Sequence, residues 1–137
     1  MDFYCSIVQE GQWFSVSFPD VPNAITMGST LEEAKAMAAD VLNGVIATDI
    51  AQGQALPSNA TGPASGLFQC ELDPTILIAS ELRSLRGKTS QSEIAERLGM
   101  TYQTYQHLEN PQKSNPTLKT LNKVAKAYGK RLEVHLS

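Results

Sequence analysis

The sequence predicts two different folds in tandem. An α+β N-terminal domain of order βββαβ occupies residues 1–73, and an all-α domain of short helices closed by a short C-terminal strand occupies residues 74–137. Three observations carry this reading. Aromatic and β-branched runs open the chain, whereas capped segments of helical spacing fill its second half. A stretch rich in small residues, Pro and Gly, "QALPSNATGPASG", isolates a long helical segment from the strand-like "LFQCEL" that follows. The formal charge of −3 also divides unevenly: residues 1–73 hold nine acids and one base (Lys35), a net of −8, while residues 74–137 hold ten bases and five acids, a net of +5. Such asymmetry points to two different partners.

In the first half, "FYCSIVQ" (3–9) and "WFSVSF" (13–18) flank the Gly turn "EGQ" and read as a hairpin. "PDVPN" interrupts, and "AITMG" (24–28) supplies a third short strand. Ser29 or Thr30 caps a helix whose Glu32 and Glu33 suit the positive end of its dipole. Leu31, Ala34, Met37, Ala38, Val41, Leu42, Val45 and Ile46 give it an apolar face, and it frays near Gln52–Gly53. "LFQCEL" (67–72) is the fourth strand. Beyond it, Asp73 and Pro74 start a helix that runs to about Arg86 and stops at Gly87. Short helices over 91–98 and 102–109, a loop "NPQKSNP", a helix over 117–128 and the strand "RLEVHL" (131–136) complete the chain.

At 137 residues with 42% apolar and 18% charged residues, the chain suits a soluble globular protein. No apolar run approaches the roughly 18 residues of a membrane span. The opening "MDFYCSIVQEGQW" has no basic leader segment, so a cytoplasmic location is expected. Cys5 and Cys70 lie in strand-like runs without metal-ligand spacing and are expected to be reduced core thiols; whether they touch is not legible. His107 and His135 have no partner at ligand spacing, and no metal or cofactor is expected.

"SQSEIAERLGMTYQTYQHLEN" (90–110) is two short helices about a Gly turn. Ile94, Ala95 and Leu98 face inward from the first helix, Tyr105 and Leu108 from the second, and Gly99 permits the turn. Tyr102, Gln103, Gln106 and His107 are left on the exposed front, where they can read base edges in a DNA groove. Gln91, Thr101, Asn110 and Lys113 are the phosphate candidates. With its leading helix and the later "TLKTLNKVAKAYG", the segment 74–128 resembles a lambda-repressor-like (Cro-like) helix-turn-helix domain. Tyr105 departs from that pattern, which favours a smaller aliphatic residue there, so the helix packing must make room.

The acidic half does not read as an enzyme. Its βββαβ order resembles part of the ribonuclease H fold, whose catalysis needs a carboxylate in the middle of the first strand. "FYCSIVQ" has none, and residues 1–73 contain no histidine for a nucleophilic triad. Instead, Phe18, Pro19, Asp20, Pro22, Gly28, Thr30, Glu32, Glu33 and Ala34 follow in order the F-P-D-x-P … G-x-T-x-E-E-A pattern of the HicB antitoxins, which the chain resembles; Asn23 stands where that family often has Gly.

The resemblance implies a degenerate, partial ribonuclease H-like domain that binds a HicA toxin, a small mRNA-cleaving protein that uses a histidine. It also implies a C-terminal helix-turn-helix through which the complex represses its own operon in a prokaryotic host. A −8 domain would complement a cationic RNA-gripping protein. The alternative is a stand-alone transcriptional regulator whose acidic domain binds a small ligand or another protein. Trp13, Phe14 and Asp20 are the toxin-binding candidates; Trp13 and Phe14 point to opposite faces, so one must be core, and Asp20 can instead cap its own turn. Specific DNA reading generally needs two copies of the motif. Leu132, Val134 and Leu136 are therefore expected to lie on a strand that pairs with its symmetry mate in a homodimer or higher homo-oligomer; the alternative is docking onto the chain's own N-terminal sheet.

Overall fold

The computed structural model describes residues 2–136 and contains β1 (Asp2–Glu10), β2 (Trp13–Phe18), β3 (Val21–Gly28), α1 (Leu31–Ala51), β4 (Leu67–Glu71), α2 (Pro74–Arg86), α3 (Gln91–Leu98), α4 (Tyr102–Leu108) and α5 (Leu118–Ala127). The chain separates into two compact units, one ending at Leu77 and one beginning at Ile78. This division lies within α2, slightly beyond the boundary expected at residue 73. Ile76 is buried in the first core and Leu82 in the second.

In the N-terminal unit the strands form one antiparallel sheet of order β3-β2-β1-β4, with α1 packed on one face. The β1–β2 hairpin closes through Gly11 and Gln12, and Gly11 has φ 63°, as the first residue of a type II′ turn requires. The third strand starts at Val21 rather than Ala24, because the chain turns back immediately after Pro19–Asp20, with a register shift at Ser17/Phe18. Both oxygens of Asp20 are used there: they accept hydrogen bonds from the Thr61 amide and hydroxyl, each at 2.9 Å. That clip ties the long loop before β4 to the β2–β3 turn.

Thr30, not Ser29, is the α1 N-cap, accepting from the Glu33 amide at 3.1 Å, while the Ser29 hydroxyl donates to the Glu33 carboxylate at 2.6 Å. The helix can approach the sheet closely because its buried track is Ala34, Ala38, Leu42 and Ile46, small at the end nearest Gly28. A Cβ on Gly28 would lie 2.5 Å from the Ala34 amide nitrogen, so only glycine fits. Leu31 and Met37, expected on the buried stripe, are exposed. The packed track steps by four residues, and these two side chains fall beyond its edge. Asn43 is buried instead: its amide donates to the carbonyls of Ala39 and Glu71, and its oxygen accepts from the Asp73 amide at 2.7 Å. One polar side chain thus satisfies the backbone where β4 hands over to α2.

Cys5 and Cys70 are in contact as free buried thiols, with sulfurs 3.8 Å apart on neighbouring strands. The hydrogen bond to Cys5, together with burial, pushes the Cys70 thiol up and keeps it protonated.

In the C-terminal unit, Leu82, Ile94, Ala95, Leu98, Tyr105, Leu108 and Val124 form the core. Ser90, Thr101 and Thr117 each cap a helix through the side-chain oxygen, accepting from the amide three residues on. The short C-terminal strand expected over residues 131–136 is not formed in the single chain, where these residues have no regular secondary structure and join no sheet. An isolated strand has nothing to satisfy its backbone groups.

Candidate nucleic-acid interface and partner face

The presentation of α4 is fixed by sequence-local and long-range devices together. Locally, Ser90 opens α3, Gly99 ends it in the left-handed conformation with φ 68°, and Thr101 opens α4. The Thr101 hydroxyl accepts from the Thr104 amide and pairs with the Thr104 hydroxyl at 2.8 Å, so it serves the cap. At longer range, Tyr105 drives its ring into the core with no exposed surface. Room for this large side chain comes from the end of α5, where the Tyr128 hydroxyl meets the Tyr105 hydroxyl in a short hydrogen bond. Burial, then bonding to Tyr128, pushes the Tyr105 hydroxyl well above the usual tyrosine range; burial raises Tyr128 as well, against the opposing effect of its bond to Tyr105.

Beside this pair lies an ion pair that residue-by-residue reading of the sequence missed. The Arg86 guanidinium bonds the buried Glu109 carboxylate in a two-pronged fork, Nε to Oε2 at 2.8 Å and Nη2 to Oε1 at 3.0 Å. Arg86 Nη1 also donates to the Thr89 carbonyl at 2.7 Å, and Gln91 Nε2 donates to Glu109 Oε1 at 3.2 Å. The network joins the end of α2, the turn before α3, the first residue of α3 and the end of α4. Bonding to Glu109 outweighs desolvation and raises the Arg86 pKa. The available sequence signal was slight: Glu109 is one of only five acids in a half that carries ten bases.

The front of α4 that this scaffold presents holds Tyr102, Gln103, Gln106 and His107, all exposed, with the Gln106 amide 3.4 Å from the Tyr102 hydroxyl. These four side chains supply donors and acceptors on one convex surface, the chemistry of base-edge reading. Lys113 is exposed in the following turn. Asn110 shapes that turn, its side-chain oxygen accepting from the Gln112 amide. Gln91 is directed towards Glu109 rather than grouped with the exposed front.

On the N-terminal unit, Phe14 packs against the core while Trp13, on the opposite side of β2, is half exposed. Asp20 is occupied by Thr61. Among the described residues no three His, Cys, Asp or Glu side chains gather as a metal site, and no helix is long and apolar enough to cross a membrane.

Known proteins place this architecture. Residues 5–72 match the HicB-like antitoxins of bacterial toxin-antitoxin systems, and residues 81–134 match a helix-turn-helix family. "Antitoxin HicB 1" of Photorhabdus laumondii subsp. laumondii is 33% identical over 94% of this chain and 81% of its own length. The chain belongs to the HicB antitoxin family. "Antitoxin HicB 2" of the same organism is 31% identical over 88% of this chain and 86% of its own. A crystal structure of the N-terminal domain of the Burkholderia pseudomallei antitoxin HicB overlays with a TM-score of 0.47 at 20% identity, covering 53% of this chain and 99% of that one. Within the HicB frame, Gly28 and Ala34 of the matched pattern meet where helix backbone leaves no room for a side chain on the strand.

Proposed function

We propose that this chain is the antitoxin of a type II toxin-antitoxin system. Its N-terminal unit binds and silences a HicA-type mRNA-cleaving toxin, and its C-terminal unit binds operator DNA to repress the operon that encodes both. The observation that carries this reading is the junction of two oppositely charged units, −8 and +5, of which the basic one presents the Tyr102–His107 front on an ion-paired scaffold. DNA binding draws on net positive charge for affinity and on side chains such as Gln103 for sequence. A toxin that grips RNA needs a cationic face, for which the acidic unit is the complement. The chain itself performs no catalysis in this scheme.

Operator reading is by a dimer. Leu132, Val134 and Leu136 lie in the segment after α5; Val134 is exposed and Leu136 is 99% exposed. Pairing of residues 131–136 with the same segment of a second subunit would satisfy their backbone groups and cover these side chains.

The reading is tested in a host that expresses a HicA-type toxin and carries the promoter of the proposed operon. Co-expression of the chain is expected to restore growth and to lower transcription from the shared promoter. Repression without rescue would instead identify a stand-alone regulator whose acidic unit serves another ligand.

A further inference from the structure

The sheet has two faces, and only one is covered by α1. On the other, strand register sets Ile25 and Met27 of β3 beside Ser17 and Ser15 of the inner strand β2, and Ser15 in turn beside Val8 of β1. Trp13 lies one step further along β2, diagonal to Val8. Small serines thus floor a shallow trough flanked by large apolar side chains. Their exposures are 67% for Ile25, 52% for Met27, 52% for Val8 and 50% for Trp13. A solvated antiparallel face normally alternates apolar-in, polar-out. Contiguous large apolar groups on the solvent side of an uncovered sheet, reaching its edge strand, mark a surface that a partner covers.

Charge selects the partner. Among the described residues, the carboxylate and amine side chains on this face are Asp2, Glu10 and Glu71, all acidic. The one basic side chain of residues 1–73, Lys35, is on α1, with its ammonium 4.8 Å from the Phe68 ring centre and 3.8 Å from Glu32. The same sheet face of a second copy seated here would set carboxylates against carboxylates. A cationic protein with an apolar centre and a rim of Lys or Arg would match both the trough and its border.

We infer that this outer sheet face, centred on Val8, Trp13, Ile25 and Met27, is the docking surface for the cationic toxin, an assignment that rests on the antitoxin reading. It leaves Phe14 to the core and Asp20 to its loop clip, and brings in three residues, Val8, Ile25 and Met27, that were not among the sequence candidates.

The test titrates full-length chain against a purified HicA-type toxin from the same host, by calorimetry, with operator binding as a check of folding. Ile25→Lys combined with Met27→Lys places two like charges against a cationic partner on positions that are already exposed. Affinity is expected to fall by roughly 100-fold or more, with operator binding unchanged. Glu10→Gln with Glu71→Gln is expected to slow association and flatten its salt dependence. Glu32→Gln with Asp40→Asn, an equal charge change on α1, should leave both unaltered. Undiminished affinity of the lysine double variant, or equal loss from the α1 pair, overturns the surface while the antitoxin reading stands. A change in sedimentation of the unbound lysine variant would also overturn it, because a second copy would then be the occupant. Failure of the unaltered chain to bind at all would overturn the antitoxin reading itself, and this inference with it.

Discussion

Glu109→Ala removes the acceptor on which Arg86 and Gln91 converge. Removing one member of a buried ion pair costs about 3–5 kcal/mol, because the other charge stays desolvated. The Arg86 side chain retains 17% exposure and its bond to the Thr89 carbonyl, which places the loss near the lower end, about 3 kcal/mol. A unit of this size is stable by roughly 3–9 kcal/mol, so the substitution consumes a third of that or more. Urea unfolding followed by far-UV circular dichroism should show the helical transition of the C-terminal unit moving down by roughly 3 M at a slope near 1 kcal/mol/M. Trp13, the chain's only tryptophan, reports the N-terminal unit, and its transition should not move, since all four residues of the network lie beyond Leu77. The paired replacement Arg86→Met with Glu109→Leu should recover most of the loss, as apolar substitutes for buried pairs commonly do. A loss below about 0.5 kcal/mol for Glu109→Ala, the range of ordinary surface changes, would refute the claim that this pair holds α4 in place.

Four further outcomes are expected. Gln103→Ala should cost about 1–3 kcal/mol at the operator and relax preference at one base pair, whereas Lys113→Ala should weaken all DNA similarly and flatten the salt dependence, both by titration on specific and random duplexes. Gly28→Ala should destabilise the N-terminal unit by about 1–3 kcal/mol or more in Trp13-monitored unfolding, since its methyl meets helix backbone 2.5 Å away. The C-terminal unit should lose stability as pH rises past about 10: the unfolded tyrosines ionise there while folded Tyr105 and Tyr128, both raised, stay protonated, so their contribution is complete below that pH and is lost above it; Tyr105→Phe should reduce this alkaline slope in thermal melts. Deleting 131–137 should leave a folded but monomeric DNA-binding unit by sedimentation, with operator affinity near the non-specific level; a truncated protein still dimeric through that unit would remove the segment from the interface.

What could be read from the sequence was what adjacent residues determine. The α3–turn–α4 element was legible because Ser90, Gly99 and Thr101 act within three residues of themselves. The order βββαβ followed from runs and breaks of the same local kind. Helical spacing located α1 but did not say which edge of its apolar stripe meets the sheet, so Leu31 and Met37 were placed inside. Asp20 finds Thr61 forty-one residues on, Asn43 finds Asp73 thirty on, and Arg86 finds Glu109 twenty-three on. No periodicity announces such pairs. The face proposed for the partner was hidden for a related reason. "NAITMG" reads as a strand in isolation, but only pairing with β2 shows that Ile25 and Met27 share the outer side with Trp13. Residues 131–136 alternate as a strand should, yet a strand is a property of two segments, and in the single chain this one pairs with none.

The most direct measurement is a cleavage titration. A HicA-type toxin from the same host is purified, its hydrolysis of a single-stranded RNA is followed, and full-length chain is added in steps. An antitoxin predicts stoichiometric loss of cleavage, at a molar ratio unaltered by saturating operator DNA, because toxin and DNA engage different units. Cleavage that persists with the chain in large excess would contradict it.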